Sequence, residues 1–318
     1  MRALGIILAG GNNHKMRELT SRRAVAAMPI AGSYRAIDFT LSNMSNSHIQ
    51  KVAVLTQYNA RSLNEHLNSS KWWDFGRKQG GLYVFTPTIT ADNGYWYRGT
   101  ADAIYQNLDF LKRSHEPYVI ITSGDAVYKM DYNKVLEYHI AKKADITVVC
   151  KELDDSEDAS RFGTIKMDDS MRIEEFEEKP MVAHSHTIST GIYVVRRRLL
   201  IDLIEHCAEE DRYDFVTDIL IRYKNLKKIY GYKIKDYWSN ISTVDAYYRT
   251  NMDFLRPEVR EYFFKQRPEI YSKVSDLPPA KYNPGSVVKT AWWRAEALSM
   301  EPWKIRFFSR KRLSEIIV

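Results

Sequence analysis

The sequence has little that would indicate a disulfide scaffold, a thiolate metal site or a membrane span. Its 318 residues include only two cysteines, Cys150 and Cys207, without a CxxC pair or metal-ligand spacing. Two reduced, packed thiols in a cytoplasmic protein are therefore expected. No apolar run approaches the ~20 residues of a membrane-spanning helix, and the opening "MRALGIILAGG" predicts a buried strand, not a signal peptide. With 44% hydrophobic residues, the chain can still bury a large core.

Positive charge is present but not concentrated. The formal net charge is +7, yet lysine and arginine are scattered through every segment and form no stripe. An anionic small substrate accounts for this excess as well as a nucleic acid would, so neither a nucleic acid nor a membrane is expected as a partner. The densest basic stretch is "KIRFFSRKR" near the end of the chain.

Short apolar runs alternate with longer amphipathic ones, which predicts an α/β fold with a mostly parallel sheet. The predicted strands are Ala3–Leu8, Lys51–Thr56, Tyr118–Ser123 and Ile146–Lys151, and the predicted helices between them are Ala60–Asn68, Thr100–Arg113 and Met130–Lys143. Ligands in such sheets bind beyond the carboxyl ends of the strands. The "AGG" and "SGD" that end two strands lie at that edge.

The second half of the chain mixes strand and helix patterns. "RFGTIKMDDSMRIEEFEEKP" predicts a hairpin that turns at "MDDS", and "TISTGIYVV" predicts another buried strand. Two helical patterns, "RRRLLIDLIEHCAEE" and "DFVTDILIRYKN", precede the closing strands "KKIYGYKI" and "YWSNIS". A helix follows with Thr243 near its start. The proline- and tyrosine-rich composition after residue 255 predicts a linker over residues 256–288.

Several phrases occur in the order and spacing of one protein family. They are "LAGG", "YRAIDFTLSNMSNS", "VLTQY", "WYRGTADAIYQNL", "SGDAVYKMDY", "SRFGTIK", "FEEKP", "STGIYVV" and "TVDAYYRTNMDFL". Over about residues 1–288 the chain thereby resembles the bacterial glucose-1-phosphate adenylyltransferases (ADP-glucose pyrophosphorylases). The resemblance implies a Rossmann-like nucleotidyltransferase domain at 1–255, with a mostly parallel mixed sheet, in a cytoplasmic protein of glycogen biosynthesis. It also implies a reaction in which ATP and glucose 1-phosphate give ADP-glucose and pyrophosphate.

The resemblance places nucleotide-binding residues at the end of the first strand, in the stretch Leu8, Ala9, Gly10 and Gly11. Where the family has a glycine and an arginine, this chain has Asn13 and Lys15. Asparagine tolerates a left-handed backbone, and lysine keeps the charge but loses the bidentate fork that binds phosphate oxygens. The family's lysine-proline pair is replaced by Val25 and Ala26, so no catalytic side chain is intact there. Arg22 or Arg23 remains an alternative source of charge.

The metal-binding set is also incomplete by comparison with the family. Asp125 matches the first Mg²⁺ ligand, whereas Asn240 replaces the second aspartate. An amide oxygen can contact magnesium but brings no negative charge. Mg²⁺ is therefore the expected cofactor, with weakened binding.

Substrate-contact positions of the family are better preserved. Glu178, Lys179 and Ser189 match its sugar-phosphate side, and a lysine ammonium is a suitable partner for phosphate. Gln57, Gly99 and Thr100 match contacts on the adenine side. His184 and His186 lie in a pattern that indicates an exposed loop and not a metal site.

The combined replacements resemble those of the regulatory D-type glycogen-biosynthesis subunit of Firmicutes, a sister of the catalytic adenylyltransferase subunit. That resemblance implies a hetero-oligomer in which this chain binds ligands but has little activity of its own. Two alternatives stay open. The chain could be an active nucleotidyltransferase in which Arg22 or Arg23 replaces the missing lysine, or it could act on another nucleotide or sugar phosphate.

The last thirty residues do not match the family, whose members continue into a left-handed parallel β-helix. Residues 289–318 have neither β-helix periodicity nor a helical apolar stripe. If the codons that could encode these residues are read in a shifted frame, they can give a segment with the apolar positions and Gly/Asn turns of a β-helix. A frameshift near Lys289 that removes this domain and leaves a disordered tail is therefore our hypothesis. A genuine basic tail for a membrane or nucleic acid is the alternative.

Overall fold

A mixed β-sheet of nine strands forms the centre of the computed structural model. The structure describes residues 2–76, 80–88, 94, 96–154 and 157–273, together with the backbone of residues 281–282 and 298–299. In chain order the strands are β1 Ala3–Ala9, β2 Pro29–Ile30, β3 Tyr34–Arg35, β4 Lys51–Thr56, β5 Gly81–Phe85, β6 Tyr118–Ser123, β7 Ala126–Tyr128, β8 Ile146–Glu152, β9 Gly163–Met167, β10 Ile173–Glu178, β11 Thr187–Arg196, β12 Ile229–Ile234, β13 Trp238–Asn240, β14 Lys281–Tyr282 and β15 Leu298–Ser299.

The main sheet follows the order β10–β9–β11–β6–β1–β4–β5, and β8 joins β11 to β12. Strands β5, β4, β1 and β6 are parallel, as are β8 and β12, whereas β11 runs antiparallel to both β6 and β8. The pairs β2–β3, β7–β13 and β14–β15 lie outside this sheet. The α/β fold class and the "MDDS" hairpin, formed by β9 and β10, are confirmed.

Strand β11 is shared by two parts of the sheet. Its start pairs with β9 through Ile188 and Thr164, and its end pairs with β6 from Tyr193 onward. Strand β8 pairs with both ends, and the register is interrupted between Ser189 and Tyr193. One continuous strand therefore connects the β9–β10 hairpin to the parallel strands.

Helices cover both faces of the sheet. In chain order they are α1 Ala36–Asn46, α2 Arg61–Leu67, α3 Thr100–Tyr105, α4 Leu108–Lys112, α5 Tyr132–Ala141, α6 Arg197–Glu209, α7 Val244–Asp253 and α8 Pro257–Arg260, with shorter 3-10 turns at His14–Thr20, Val25–Ala27, Ser70–Trp73 and Ala159–Arg161 and π-helical turns at Val216–Ile221 and Glu261–Lys265. In the described part of the chain, no helix is long and apolar enough to cross a bilayer.

The helix predicted over 100–113 is two helices, α3 and α4. Asn107 separates them, and its side-chain amide donates to the Ala103 carbonyl at 2.9 Å and to the Tyr97 hydroxyl at 3.0 Å. Asparagine competes in this way with the backbone hydrogen bonds of a continuous helix. The predicted apolar face survives the break, because Ala103, Ile104, Leu108 and Leu111 are all buried.

The segment predicted to begin a linker at residue 256 packs on the domain instead. Val259, Phe263 and Ile270 are buried in a cluster with Phe39 and Phe254. Composition alone suggested a linker because proline and charged residues dominate the segment, but among its described residues these three apolar side chains are buried. The predicted tail at 289–318 lies outside the described residues, apart from the backbone of residues 298–299.

Hydrogen bonds also attach residues 269–273 to α1 and its surroundings. Tyr271 N–H donates to the Ser42 hydroxyl at 2.8 Å, and its carbonyl accepts from the Trp73 indole at 3.1 Å. The Ser272 hydroxyl donates to Asp38 at 2.6 Å. Asp38 is fully buried and also contacts the His66 ring at 2.6 Å. These contacts make residues 269–273 part of the folded domain.

Candidate nucleotide and sugar-phosphate site

Three loops meet at the carboxyl edge of the parallel strands. In the sheet register, Leu8 of β1 is aligned with Leu55 of β4 and Ser123 of β6. Gly124 N–H donates to the Leu8 carbonyl at 3.0 Å, and a Cβ added to Gly10 would lie 3.2 Å from that of Gln57. The loops after β1, β4 and β6 thus form one edge, where ligands of such sheets bind.

The loop after β1 is held by Asn13. Its side chain accepts from the Lys15 N–H at 3.0 Å and donates to the Ser242 carbonyl at 2.6 Å. The backbone of Asn13 is extended, with φ −113°, so the left-handed conformation considered for it is absent; Arg17 has a positive φ of 48° instead. Gly11, Lys15 and Arg17 are exposed, so this segment presents two cations and open backbone to solvent.

Val25 points into the apolar core. Only 8% of it is exposed, and it belongs to a cluster with Met16, Met28 and Ile30. The adjacent Ala26 lies 3.2 Å from the position of a Cβ on Gly124, so this turn directly adjoins the loop that carries Asp125. The position at which the resemblance places a lysine is therefore filled by packed apolar side chains. Arg22, three residues earlier, is exposed.

Asp125 and Asn240 come together through the β7–β13 pair. Asn240 is aligned with Ala126, and Ile241 N–H donates to the Asp125 carbonyl at 3.0 Å. The Asp125 carboxylate accepts from the Ser123 hydroxyl, and the Asn240 amide oxygen accepts from Ser242 N–H at 2.9 Å. Among the described residues, no three His, Cys, Asp or Glu side chains are grouped as metal ligands. This pair alone is a poor fit for a tightly held divalent cation.

Glu178 and Lys179 form an ion pair at the end of β10, with 2.8 Å between Nζ and Oε1. The Lys179 N–H donates to the Phe162 carbonyl at 3.2 Å. A Cβ on Gly163 would lie 2.8 Å from the Phe176 ring and 2.9 Å from Glu178 Oε2, so glycine at this position lets both side chains pack close to the β9 backbone. Burial lowers the Lys179 pKa, but Glu178 and the carboxylates of Asp214 and Asp125 outweigh it and raise the pKa overall, which keeps the ammonium charged.

Ser189 lies near this pair, buried on β11 with its hydroxyl 3.3 Å from that of Tyr193. Burial raises the pKa of the Tyr193 phenol, and the Glu178 and Asp214 charges add to this rise. Tyr193 and Asp214 were not among the predicted site residues. Tyr193 could have been predicted from Ser189, because positions 189 and 193 of one strand share a face.

The residues predicted to contact the adenine make hydrogen bonds and close contacts within the chain. Gln57 accepts from the Tyr97 N–H at 2.6 Å and donates to the Tyr97 carbonyl at 3.3 Å. A Cβ on Gly99 would lie 2.3 Å from the Tyr213 carbonyl oxygen. Thr100 donates to Asp214 at 3.2 Å, so Gly99 and Thr100 are joined to the segment that carries Asp214. His184 and His186 are exposed, which confirms the expected loop.

Comparison with known proteins identifies the family. A profile described as "Nucleotidyl transferase" matches residues 4–256. The glucose-1-phosphate adenylyltransferase of Thermosipho melanesiensis is 39% identical over 290 residues, which cover 91% of this chain and 70% of the relative. The chain belongs to the glucose-1-phosphate adenylyltransferase family. The corresponding protein of Clostridium acetobutylicum is 41% identical over 279 residues, covering 87% of this chain and 73% of that one.

A solved structure supports the fold of this adenylyltransferase-family chain. The structure is from Bacillus anthracis, carries the name glucose-1-phosphate thymidylyltransferase, and contains a sucrose. It aligns with a TM-score of 0.64 and 21% identity, covering 79% of this chain and 94% of that one. The resemblance drawn from the motifs is thereby confirmed at the level of the family and the nucleotidyltransferase fold.

Proposed function

We propose that this chain binds ATP and glucose 1-phosphate as a regulatory subunit of an ADP-glucose-forming assembly and has little turnover of its own. The D-type subunit of Firmicutes is the matching kind of protein, and its partner is a catalytic adenylyltransferase sister subunit. The observation that supports the proposal is the burial of Val25 among apolar side chains beside the Asp125 loop. At that point the chain offers no group that could neutralise charge on a transferring phosphoryl group.

The size of the expected loss favours a regulatory role. Removing one preorganised group that stabilises transition-state charge costs on the order of 100- to 1,000-fold in rate. Here Val25 lacks a charge, and Asn240 lacks the second carboxylate. Such losses are not additive, but together they leave a rate far below that of a competent relative.

Magnesium remains part of the proposal as a weakly bound cofactor. Asp125 would hold it, with the Asn240 amide oxygen as a neutral neighbour. When bound, the ion supplies positive charge to the phosphates. The chain's own residues then position substrate: Glu178 can accept from a sugar hydroxyl, and Lys179 can pair with a phosphate.

The proposal is tested by measuring pyrophosphate release from ATP and glucose 1-phosphate with this chain alone and with a catalytic sister subunit. We expect the chain alone to be at least about 100-fold slower than the sister. We expect the mixture to exceed the sister alone at equal sister concentration. An isolated chain as fast as the sister, or a mixture without enhancement, would contradict a regulatory role.

The second candidate function is an active nucleotidyltransferase that uses Arg22 or Arg23 as the missing cation. It is favoured by the position of both arginines in the stretch that leads to Val25, with Arg22 exposed. The Arg22→Ala/Arg23→Ala variant separates the candidates, because it abolishes pyrophosphate release only in this case. Whether the chain uses a different substrate is tested by measuring how well other nucleotides and sugar phosphates compete for binding.

Lys179→Met is expected to weaken glucose 1-phosphate binding by about 10-fold or more and to leave ATP binding unchanged, because it removes a charged partner of the sugar phosphate. Isothermal titration calorimetry with each ligand measures both effects. Lys166→Met is the matched control, since Lys166 is also ion-paired, 3.1 Å from Glu175, but lies farther along the hairpin. Equal affinities of the two variants for glucose 1-phosphate would contradict the assignment.

A further inference from the structure

Two of the three guanidinium nitrogens of the half-buried Arg161 are buried without a hydrogen-bonding partner. In the described part of the chain, its Nε and Nη2 atoms are shielded from solvent and have no acceptor. The guanidinium carbon lies 5.3 Å from the centroid of the Phe162 ring. An aromatic face attracts a cation, but it does not satisfy the N–H groups of a guanidinium fork.

The neighbouring carboxylate is already engaged. Asp158 accepts from the backbone N–H of Ser160 at 3.0 Å and from its hydroxyl at 2.6 Å. These Ser160 bonds are the main reason why the Asp158 pKa is lowered, and the charges of Arg161 and Lys15 lower it further. Arg161 and Lys15 of the β1 loop therefore lie in one neighbourhood, and Asp158 does not neutralise them by direct contact.

A second buried donor belongs to a residue that contacts the same ring. The indole Nε1 of Trp238 has no acceptor in the described structure, and only 8% of the residue is exposed. The Trp238 and Phe162 rings meet edge to face, with 5.6 Å between centroids. The Phe162 carbonyl accepts from Lys179 N–H at 3.2 Å. Arg161 and Trp238 thus leave buried donors without acceptors around Phe162, the residue to which the Lys179 backbone is hydrogen-bonded.

Buried donors left without acceptors cost free energy, and a buried unpaired charge costs more. A ligand that brings several anionic oxygens removes both costs, and arginine matches phosphate oxygens in geometry and charge. We propose that Arg161 binds a phosphate group of a ligand at this site. The inference rests on the proposed function for the source of that group, which is either the nucleotide's phosphates or the sugar phosphate.

The test uses the full chain and its Arg161→Met variant, which keeps side-chain length and removes the donors. Inorganic pyrophosphate and glucose 1-phosphate are titrated separately by calorimetry. We expect about 10- to 100-fold weaker binding of one ligand by the variant, and that ligand identifies the source. We also expect the ligand-free variant to unfold at the same temperature or higher. Arg113→Met is the control, since 82% of that arginine side chain is exposed.

Unchanged affinity of Arg161→Met for both ligands would overturn the inference, as would absence of binding by the unsubstituted chain. A variant that is unfolded or clearly less stable would also overturn it, because Arg161 would then serve the fold and not a ligand. The two proposals fail separately. Arg161-dependent binding without enhancement of a sister subunit refutes only the regulatory function, whereas enhancement with Arg161-independent binding refutes only this inference.

Discussion

The double variant Val25→Lys/Asn240→Asp is expected to release pyrophosphate on the order of 100-fold faster than the unmodified chain. The structure supports this pairing of substitutions, because the Val25 turn adjoins Gly124 and Asn240 adjoins Asp125. A lysine at 25 can lay its stem along the apolar cluster and extend its ammonium toward the loop. A steady-state assay with ATP, glucose 1-phosphate and Mg²⁺ measures the change.

The matched control is Leu226→Lys/Asn68→Asp, which likewise exchanges an aliphatic residue for lysine and an asparagine for aspartate, but at exposed positions. This control has the same formal charge as the test variant, and we expect it to release pyrophosphate at the rate of the unmodified chain. If the control and test variants release pyrophosphate equally slowly while both remain folded, the missing groups are not what limits this chain.

Phe263→Ala is expected to lower the free energy of unfolding by about 3–5 kcal/mol, because it opens a cavity in a fully packed cluster. Phe263 is 0% exposed. Its ring lies 5.2 Å from that of Phe254 and 5.3 Å from that of Phe39, measured between centroids. Urea denaturation of the full chain measures the loss.

Tyr248→Ala is the control for this substitution, since Tyr248 is an aromatic residue on the adjacent helix α7 and is 47% exposed. Its cost should stay below about 1 kcal/mol. A similarly small cost for Phe263→Ala would show that residues 257–273 are a linker, as their composition suggested, and not part of the packed domain.

The central strands could be predicted from the sequence because each is a short apolar run of the length that a buried parallel strand requires. Lys51–Thr56 and Tyr118–Ser123 have the predicted bounds. The α3–α4 break could not be found from apolar spacing, because it depends on where the Asn107 amide points. The packing of residues 257–273 was missed for a related reason: three inward apolar side chains outweigh many exposed charged ones.

For the site, the sequence shows which residue types of the family are replaced in this chain, but it does not show which contacts the replacing side chains make. The β1, β4 and β6 loop positions could be expected at one edge, since the carboxyl ends of parallel strands lie together. The burial of Val25 and the unsatisfied donors of Arg161 depend on contacts between segments far apart in the chain. Neither leaves a periodic pattern, so only the structure reveals them.

The shared strand β11 limits how the two substrate sides can approach each other. The hairpin that leads to Lys179 pairs with β11 through β9, and β1, which leads to Gly10, is joined to β11 through β6, so the two cannot slide past one another as independent bodies. A change in the gap between them has to bend β11. Gly191, with a positive φ of +75° that favours glycine, lies where the ladder to β8 is interrupted, so β11 lacks regular pairing with β8 at this residue.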